Sequence, residues 1–530
     1  MTKQASNSNK ATTPSRRAFL QRIGEIGGVG AVYQAMVTMG LLVPNDASAL
    51  VNRQRWQQGA MRLAAADKPT VAVIGGGIAG LIAAYELKKA GFPFFLIEAR
   101  DRPGGRSHTV RSGSRVVETD STQICTFDSG EELYFNAGPA RISHHHKNLL
   151  AYCRELKVAL EPFINDNRAA YMHSDSAFGG QRQLAKAVIA AMRGTIAELL
   201  AKAINQGALN SDISIGERAA VLAVLQDFGD LNVNYHYMGS ARGGIAVGSG
   251  GLTPELPGAP LNWREIFSHP DMPYIANFVE GWNQTGTMLQ PVGGMDRIAF
   301  ALAEQVAASA FYNVEVTALR RTATGVRIEG RTLQVAGAAE ADYAIVTIPP
   351  SVLRSIPNDF STAARSAIAS TQYANPTKTA FQSARFWEAE ENIFGGISWT
   401  DPAILQMWYP SSGLGQQQGI LVGSYLFGGN SATDFASLSP QARINLALSA
   451  GQKLHPQLPT AASRGISVAW AKVPLTLGGW ANSNPASQLL LPDGPFLFAG
   501  DHLTYLRGWQ EGAAISALHA LGILGELIVK

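Results

Sequence analysis

Three glycines in one short segment, Gly75, Gly77 and Gly80, have the spacing of a turn that can bind a pyrophosphate. An apolar, β-branched run over residues 70–74 precedes them, and an apolar helical pattern follows. Glycine allows the tight bend at the first position, close approach of backbone amides to phosphate at the second, and helix–strand packing at the third. The helix N-terminus would present its partial positive charge to the phosphates. The segment therefore predicts a dinucleotide-binding strand–turn–helix unit.

Glu98 follows the second apolar run, residues 93–97, and stands at the end of the second expected strand. A carboxylate at this place can accept hydrogen bonds from the hydroxyls of an adenosine ribose. The same negative charge argues against a 2′-phosphate and so against NADP. The residues up to this point leave NAD and FAD as the alternatives.

A second glycine turn separates these alternatives. Directly after Glu98 the chain reads ARDRPGGRSHT, with the turn at Gly104, Gly105 and Arg106. Here the sequence resembles the flavin-containing amine oxidase superfamily and, within it, the bacterial L-amino acid oxidases. Its members carry an acid, an arginine two residues later and a Gly-Gly-Arg turn that lies against FAD. NAD dehydrogenases have no such second turn, so the resemblance implies FAD.

The far C-terminal region is similar to the closing flavin motif of the same family. An apolar run ends in Gly500 and Asp501, and a final helix opens after Gly508. The resemblance implies that the acid binds the ribityl or pyrophosphate region and that the helix N-terminus points at the isoalloxazine. Val316 would present its backbone to the adenine. The family's parts occur in the expected order over about residues 70–525.

The resemblance assigns FAD binding to residues spread over much of the chain. They are Gly75, Gly77, Ile78, Ala79, Gly80, Glu98, Ala99, Arg100, Gly104, Gly105, Arg106, Gly138, Pro139, Ala140, Arg141, Val316, Gly500, Asp501, Gly508, Trp509, Gln510 and Ala513. No cysteine follows Cys153, so a thioether to the flavin near the last motif is impossible. We expect noncovalent FAD, unless a histidine forms the link.

The resemblance also implies five residues at the substrate end of the site. In the amino-acid-oxidising branch Arg141 receives the α-carboxylate, and the hydroxyl of Tyr409 completes this recognition. A guanidinium suits the first role because its planar fork matches a carboxylate bidentately. Lys378 would hold a water against flavin N5, and Trp480 and Trp509 would flank the reacting amine.

Each of these residues also has a structural interpretation. Arg141 could pair with an internal acid or a flavin carbonyl, and Lys378 could form a surface salt bridge. Tyr409 and the two tryptophans could be ordinary core aromatics. In a strand, Trp408 would point to the face opposite Tyr409.

The reaction that the resemblance implies is oxidative deamination of an L-amino acid. A hydride leaves Cα for flavin N5, water hydrolyses the imino acid to a 2-oxo acid and ammonia, and O₂ takes the electrons to give hydrogen peroxide. Three alternatives stay open. They are an amino acid 2-monooxygenase that forms an amide, a monoamine or polyamine oxidase, and a flavin-binding export or assembly factor without turnover.

The N-terminal segment resembles a twin-arginine export signal. Paired arginines in residues 15–20 precede a weakly apolar stretch over 26–43, and small residues at 47–49 offer a cleavage site. We expect the twin-arginine machinery as a partner and a periplasmic or secreted location. The alternative is a membrane anchor formed by an uncleaved signal.

Composition excludes several classes of protein. The chain has 530 residues, 46% of them apolar and 16% charged, with a formal net charge of +3. This balance excludes a disordered or fibrous chain and gives no reason to expect nucleic acid as a partner. Two cysteines cannot form a paired-cysteine zinc site, and the consecutive His144, His145 and His146 cannot all ligate one ion, so we expect no metal. A homodimer is left open.

These elements predict an α/β (α+β composite) fold with a Rossmann-like FAD-binding domain, a mixed-sheet substrate-binding domain and a helical insertion. The signal would cover residues 1–50 and a linker 51–68. The discontinuous FAD-binding domain would comprise 69–150, 288–350 and 490–530. An apolar helical stripe between 184 and 200 predicts the insertion, at 151–230. The substrate-binding domain would comprise 231–287 and 351–489.

Overall fold

A computed structural model describes residues 45–61, 63–64, 67–248, 251–401 and 403–529. The twin-arginine pair and the apolar stretch of the expected export signal lie outside these residues. Among the described residues, none of the helices has both the length and the apolar character needed to cross a bilayer.

A five-stranded parallel sheet holds the first glycine turn. Its strands, in spatial order, are Ala310–Phe311, Phe94–Ile97, Val71–Ile74, Tyr343–Val346 and Phe496–Phe498. The Val71–Ile74 strand is fully buried, as its unbroken apolar run predicts for a strand covered on both faces. The helices that cover this sheet include Ile78–Lys89, Arg297–Val306 and the C-terminal Gln510–Leu527. All five strands fall within the three segments predicted to bind FAD.

The second large sheet is a seven-stranded mixed sheet. Its order is Gln183–Leu184, Tyr171–Met172, Gly396–Trp399, Gln406–Tyr409, Gln418–Leu426, Thr377–Ala384 and Ala462–Ala469. The pairs are antiparallel, except for the contact between the second and third strands. The predicted composite of a parallel Rossmann-like sheet and a mixed sheet is therefore confirmed.

Smaller sheets accompany these two. One contains Ile142–Ser143, Met288–Pro291 and Leu160–Phe163, and another contains Glu315–Arg321, Val326–Arg331 and Ala336–Ala341. A fully buried ion pair joins Glu118 to Arg443 on the helix Pro440–Gly451, with both carboxylate oxygens 2.7 Å from one guanidinium nitrogen.

The helical region differs from the predicted insertion at 151–230. Residues 160–163, 171–172 and 183–184 are strands, and the helices beyond them are Ala185–Asn205, Ile215–Gly229, Trp263–Ser268 and Met272–Asn277. The apolar stripe correctly predicts the helix Ala185–Asn205. The three short strands are not predicted, because strands of two to four residues that pair with distant segments show no local periodicity.

A helix over Asn45–Met61 packs on the C-terminal helix. Trp56 is only 1% exposed and its ring lies 4.9 Å from that of Phe92. The two helices approach so closely that a Cβ on Gly59 would lie 2.5 Å from the carbonyl oxygen of Gly525. The segment predicted as a linker is thus part of the packed structure.

Candidate active site

A cavity of about 410 Å³ opens at the carboxyl ends of the parallel strands. This is the edge where open α/β sheets bind ligands. Gly75 turns the chain there with a φ of +109°, which favours glycine. A Cβ on Gly77 would meet no atom within 4 Å, so this position adds free space to the cavity. A Cβ on Gly80 would lie 1.9 Å from the Gly75 carbonyl oxygen, so only glycine lets the helix pack this closely on the turn.

Glu98 holds the first turn in place from the end of the second strand. One carboxylate oxygen accepts a 2.7 Å hydrogen bond from the Gly76 amide and the other a 2.9 Å bond from the Arg100 amide. Glu98 is buried yet lines the cavity. A carboxylate oriented in this way can also accept hydrogen bonds from a ribose.

The second glycine turn and the C-terminal motif meet the first turn in space. The Gly104 amide donates to the Gly76 carbonyl at 2.8 Å, and Arg106 forms an ion pair with Asp501. Burial alone would raise the pKa of the Asp501 carboxyl, but the Arg106 charge lowers it, so the group is a carboxylate. Asp501 also accepts the Gly508 amide at 3.0 Å. Motifs some four hundred residues apart in the chain therefore form one site.

The cavity also contains an unsatisfied polar atom. The side-chain amide of Gln510 donates to the Ser107 hydroxyl at 2.7 Å, whereas its buried Oε1 has no partner among the described residues. Together with the open space at Gly77, this acceptor fits a bound polar cofactor.

Most residues that the sequence assigns to FAD line this cavity. They are Gly75, Gly77, Ile78, Ala79, Glu98, Ala99, Arg100, Gly104, Gly105, Arg106, Gly138, Pro139, Val316, Gly500, Asp501, Gly508, Trp509, Gln510 and Ala513. Gly80, Ala140 and Arg141 do not line it. Other residues in the lining have no local sequence signal, such as Thr347 and Trp470.

Lys378 lines the same cavity. Its ammonium donates to the carbonyl oxygens of Asn136, at 3.0 Å, and Gly138, at 2.7 Å. It also lies 5.2 Å from the ring centroid of Trp408 and 4.8 Å from that of Tyr425. Burial, and then the nearby charge of Arg141, lower the pKa of Lys378 to about 7.

Arg141 lies just beyond the lining, among aromatic rings. Its guanidinium carbon is 4.5 Å from the centroid of Trp408 and 5.7 Å from that of Trp509. One terminal nitrogen donates to the Gln284 side-chain oxygen at 2.7 Å, and its buried Nε has no partner among the described residues. Burial lowers the pKa of Arg141 to about 10, which leaves it cationic at neutral pH.

The structure corrects the prediction for Tyr409. This side chain is fully buried on the face of the sheet away from the cavity, where its hydroxyl bonds Ser398 at 2.7 Å and also His455. Its neighbour Trp408 points to the cavity side, because side chains alternate along a strand. Tyr425, on the adjacent strand and directly opposite Lys378, lines the cavity instead.

The two predicted tryptophans both line the cavity. Trp480 packs beside Gly508, where an added Cβ would lie 3.3 Å from the indole. Trp509 has the ring of His146 against it, with centroids 4.9 Å apart. Burial, followed by the neighbouring His145, lowers the pKa of His146 to about 3, so this imidazole is a neutral packing group.

Comparison with known proteins identifies the class. The model of the flavin-containing amine oxidoreductase family matches residues 78–520. The chain therefore belongs to this family, its cofactor is FAD, and the resemblance found in the sequence is confirmed.

Two curated relatives match over nearly their whole length. The flavin-dependent L-tryptophan oxidase RebO of Lentzea aerocolonigenes is 26% identical over 490 residues, which cover 85% of this chain and 97% of the relative. An L-amino-acid oxidase of Pseudechis australis is 24% identical over 478 residues and 85% of each chain.

Among solved structures, the cyclohexylamine oxidase of Brevibacterium oxydans IH-35A superimposes with a TM-score of 0.57 at 16% identity. The match covers 87% of this chain and 100% of that one. It supports the shared fold.

Proposed function

We propose that this protein is an FAD-dependent L-amino acid oxidase, which converts an L-amino acid to the 2-oxo acid, ammonia and hydrogen peroxide. The observation that carries the proposal is the uncompensated charge of Arg141. Within the described ranges, no Asp or Glu carboxylate lies within ion-pair distance of its guanidinium. A buried cation without an internal counter-ion favours a ligand that carries an anion.

The acids around the cavity support the same choice over a polyamine oxidase. The carboxylates in its lining are Glu98, Glu315 and Asp501. Glu98 accepts backbone amides of the first turn, Asp501 pairs with Arg106, and Glu315 pairs with Arg331. All three carboxylates are thus engaged by partners within the protein, which argues against their serving as the partner of a second ammonium group.

The side chains have distinct tasks in this reaction. FAD, when bound, accepts the electrons of the substrate Cα–H bond and passes them to O₂. Arg141 binds the carboxylate, and the rings of Trp408, Trp480 and Trp509 orient the substrate and exclude water. Lys378, with a pKa near neutrality, can hold or release a proton at Nζ beside the reacting amine.

The proposal is tested by anaerobic mixing of the yellow protein with the twenty L-amino acids and with the amines that lack their carboxylates. We expect amino acids to bleach the flavin absorbance and the matched amines to do so much less. Bleaching by amines alone would contradict the proposal. In air, a 2-oxo acid with peroxide identifies the oxidase, whereas an amide product would identify a monooxygenase.

The Arg141→Met variant tests the residue behind this preference. We expect it to retain FAD and to lose about 10²-fold or more in kcat/KM for the preferred amino acid, because charge-assisted hydrogen bonds are removed. The exposed Arg115, changed to Met, is the matched control. An unchanged KM in the Arg141 variant would remove the carboxylate assignment.

A further inference from the structure

A short segment, Trp282–Thr285, lies against the guanidinium of Arg141. It connects the helical region to the Met288–Pro291 strand and is held at two points. The Asn283 side-chain oxygen bonds His145 Nε2 at 2.9 Å, and the Gln284 carbonyl accepts the Asn165 side-chain amide at 2.8 Å. The backbone position of Gln284 is therefore held by contacts at the residue itself and at its preceding neighbour.

The side chain of Gln284 is the polar partner of Arg141. Its Oε1 accepts one Nη2–H at 2.7 Å. Aromatic rings of Phe163, Trp408 and Trp509 lie within 5.7 Å of the guanidinium carbon. A guanidinium has five N–H donors, so one amide acceptor uses one of them and leaves others for a ligand. Because the amide is neutral, it does not cancel the charge of the arginine.

We propose that Gln284 sets the charge preference of the substrate site, so that the Gln284–Arg141 pair selects substrates that carry a carboxylate. This inference rests on the proposed amino acid oxidase function. A glutamate at 284 has nearly the same shape but would form an internal ion pair with Arg141. The substrate carboxylate would then compete with a built-in counter-ion and meet a like charge. An amine without a carboxylate would meet neither obstacle.

The test compares Gln284→Glu with wild-type protein on two substrates, the preferred L-amino acid and the amine of the same side chain. We expect kcat/KM for the amino acid to fall about 100-fold or more, mainly through KM, while that for the amine stays level or rises. The ratio of kcat/KM for the amino acid to kcat/KM for the amine therefore falls. Gln58→Glu, at an exposed position on the N-terminal helix, is the control and should leave the ratio unchanged.

A binding measurement gives a readout without turnover. Benzoate, an aromatic carboxylate that has no amine to oxidise, is titrated against the flavin spectrum. We expect its Kd to rise about 100-fold or more in Gln284→Glu and to stay unchanged in Gln58→Glu. A structural disturbance alone would weaken the amine and the carboxylate alike.

The Gln284→Met variant keeps the Arg141 charge uncompensated and removes only the hydrogen bond. Its KM for the amino acid should rise by less than about 10-fold, and it should keep its preference for the amino acid over the amine. The inference would be overturned if Gln284→Glu kept the wild-type ratio of kcat/KM for the two substrates and the wild-type affinity for benzoate. It would also be overturned if Gln284→Met lost the preference for the amino acid over the amine. If wild-type flavin is not bleached by any amino acid, the proposed function itself fails, which is a separate result.

Discussion

At the scale of single residues, Lys378 and Arg141 are two buried cations for which no carboxylate partner is found among the described residues. Lys378 is 3% exposed, and its ammonium donates to two backbone carbonyls. Carbonyl dipoles stabilise a cation less than a carboxylate does, and Arg141 adds repulsion. The pKa of about 7 that results makes this amine ready to exchange a proton near neutral pH.

This pKa predicts a pH dependence. Below about pH 7 the amine is protonated and above it neutral, so the rate of flavin bleaching by the amino acid should rise through about pH 7. Lys378→Met should lack this step and keep the later rise caused by the substrate amine. Stopped-flow bleaching from about pH 5.5 to about pH 9 measures both. The same lower step in the variant would show that another group titrates there.

At the scale of elements, the alternation of side chains along the strands of the mixed sheet decides which aromatic residues face the cavity. Trp408 and Tyr425 point to the cavity side, and Tyr409 points into the packed face behind it. Burial raises the pKa of Tyr425 to about 12, so its hydroxyl remains a hydrogen-bond donor. We therefore propose that Tyr425 has the substrate-binding role that the resemblance implies for Tyr409.

Two matched variants separate these tyrosines. Tyr425→Phe should raise KM for the amino acid about 10-fold and leave the free energy of unfolding nearly unchanged. Tyr409→Phe should leave KM unchanged and lower the free energy of unfolding by about 1 kcal/mol, because it loses its bonds to Ser398 and His455. Steady-state kinetics and denaturant titration distinguish them, and the reverse pattern would restore the original assignment.

At the scale of the whole molecule, both ends of the described chain lie side by side. The helix Asn45–Met61 packs along the C-terminal helix Gln510–Leu527, whose first residues line the cavity. A salt bridge from Arg53 to the buried Glu86 connects the N-terminal helix to the helix Ile78–Lys89, which follows the first glycine turn. The N-terminal helix therefore supports two elements of the cofactor site from outside.

This support predicts a stability effect far from the cavity. Trp56→Ala should lower the free energy of unfolding by about 3–5 kcal/mol, because a large buried side chain is removed. The neighbouring Gln57→Ala, at an exposed position, should change it by less than about 0.5 kcal/mol. Thermal unfolding followed by flavin fluorescence compares them. Equal stability of the two variants would show that the helix contributes little to the fold.

The FAD site and the composite fold around it are predictable from local sequence patterns. The strand, the turn at Gly75 and the acid at Glu98 form one local unit, in which spacing alone requires particular residues. Lys378 and the two cavity tryptophans were also identified from their surrounding motifs, and the structure brings them to the same cavity.

The surroundings of Arg141 and Lys378 depend on long-range packing and could not be predicted from local patterns. Which face of a strand meets the cavity depends on pairing register, and a shift of one residue exchanges Trp408 for Tyr409. The contact of Arg141 with Gln284 joins residues 143 positions apart, through a segment with no motif of its own. Local spacing specifies a turn that must bind phosphate, whereas long-range packing specifies which side chain reaches a distant charge.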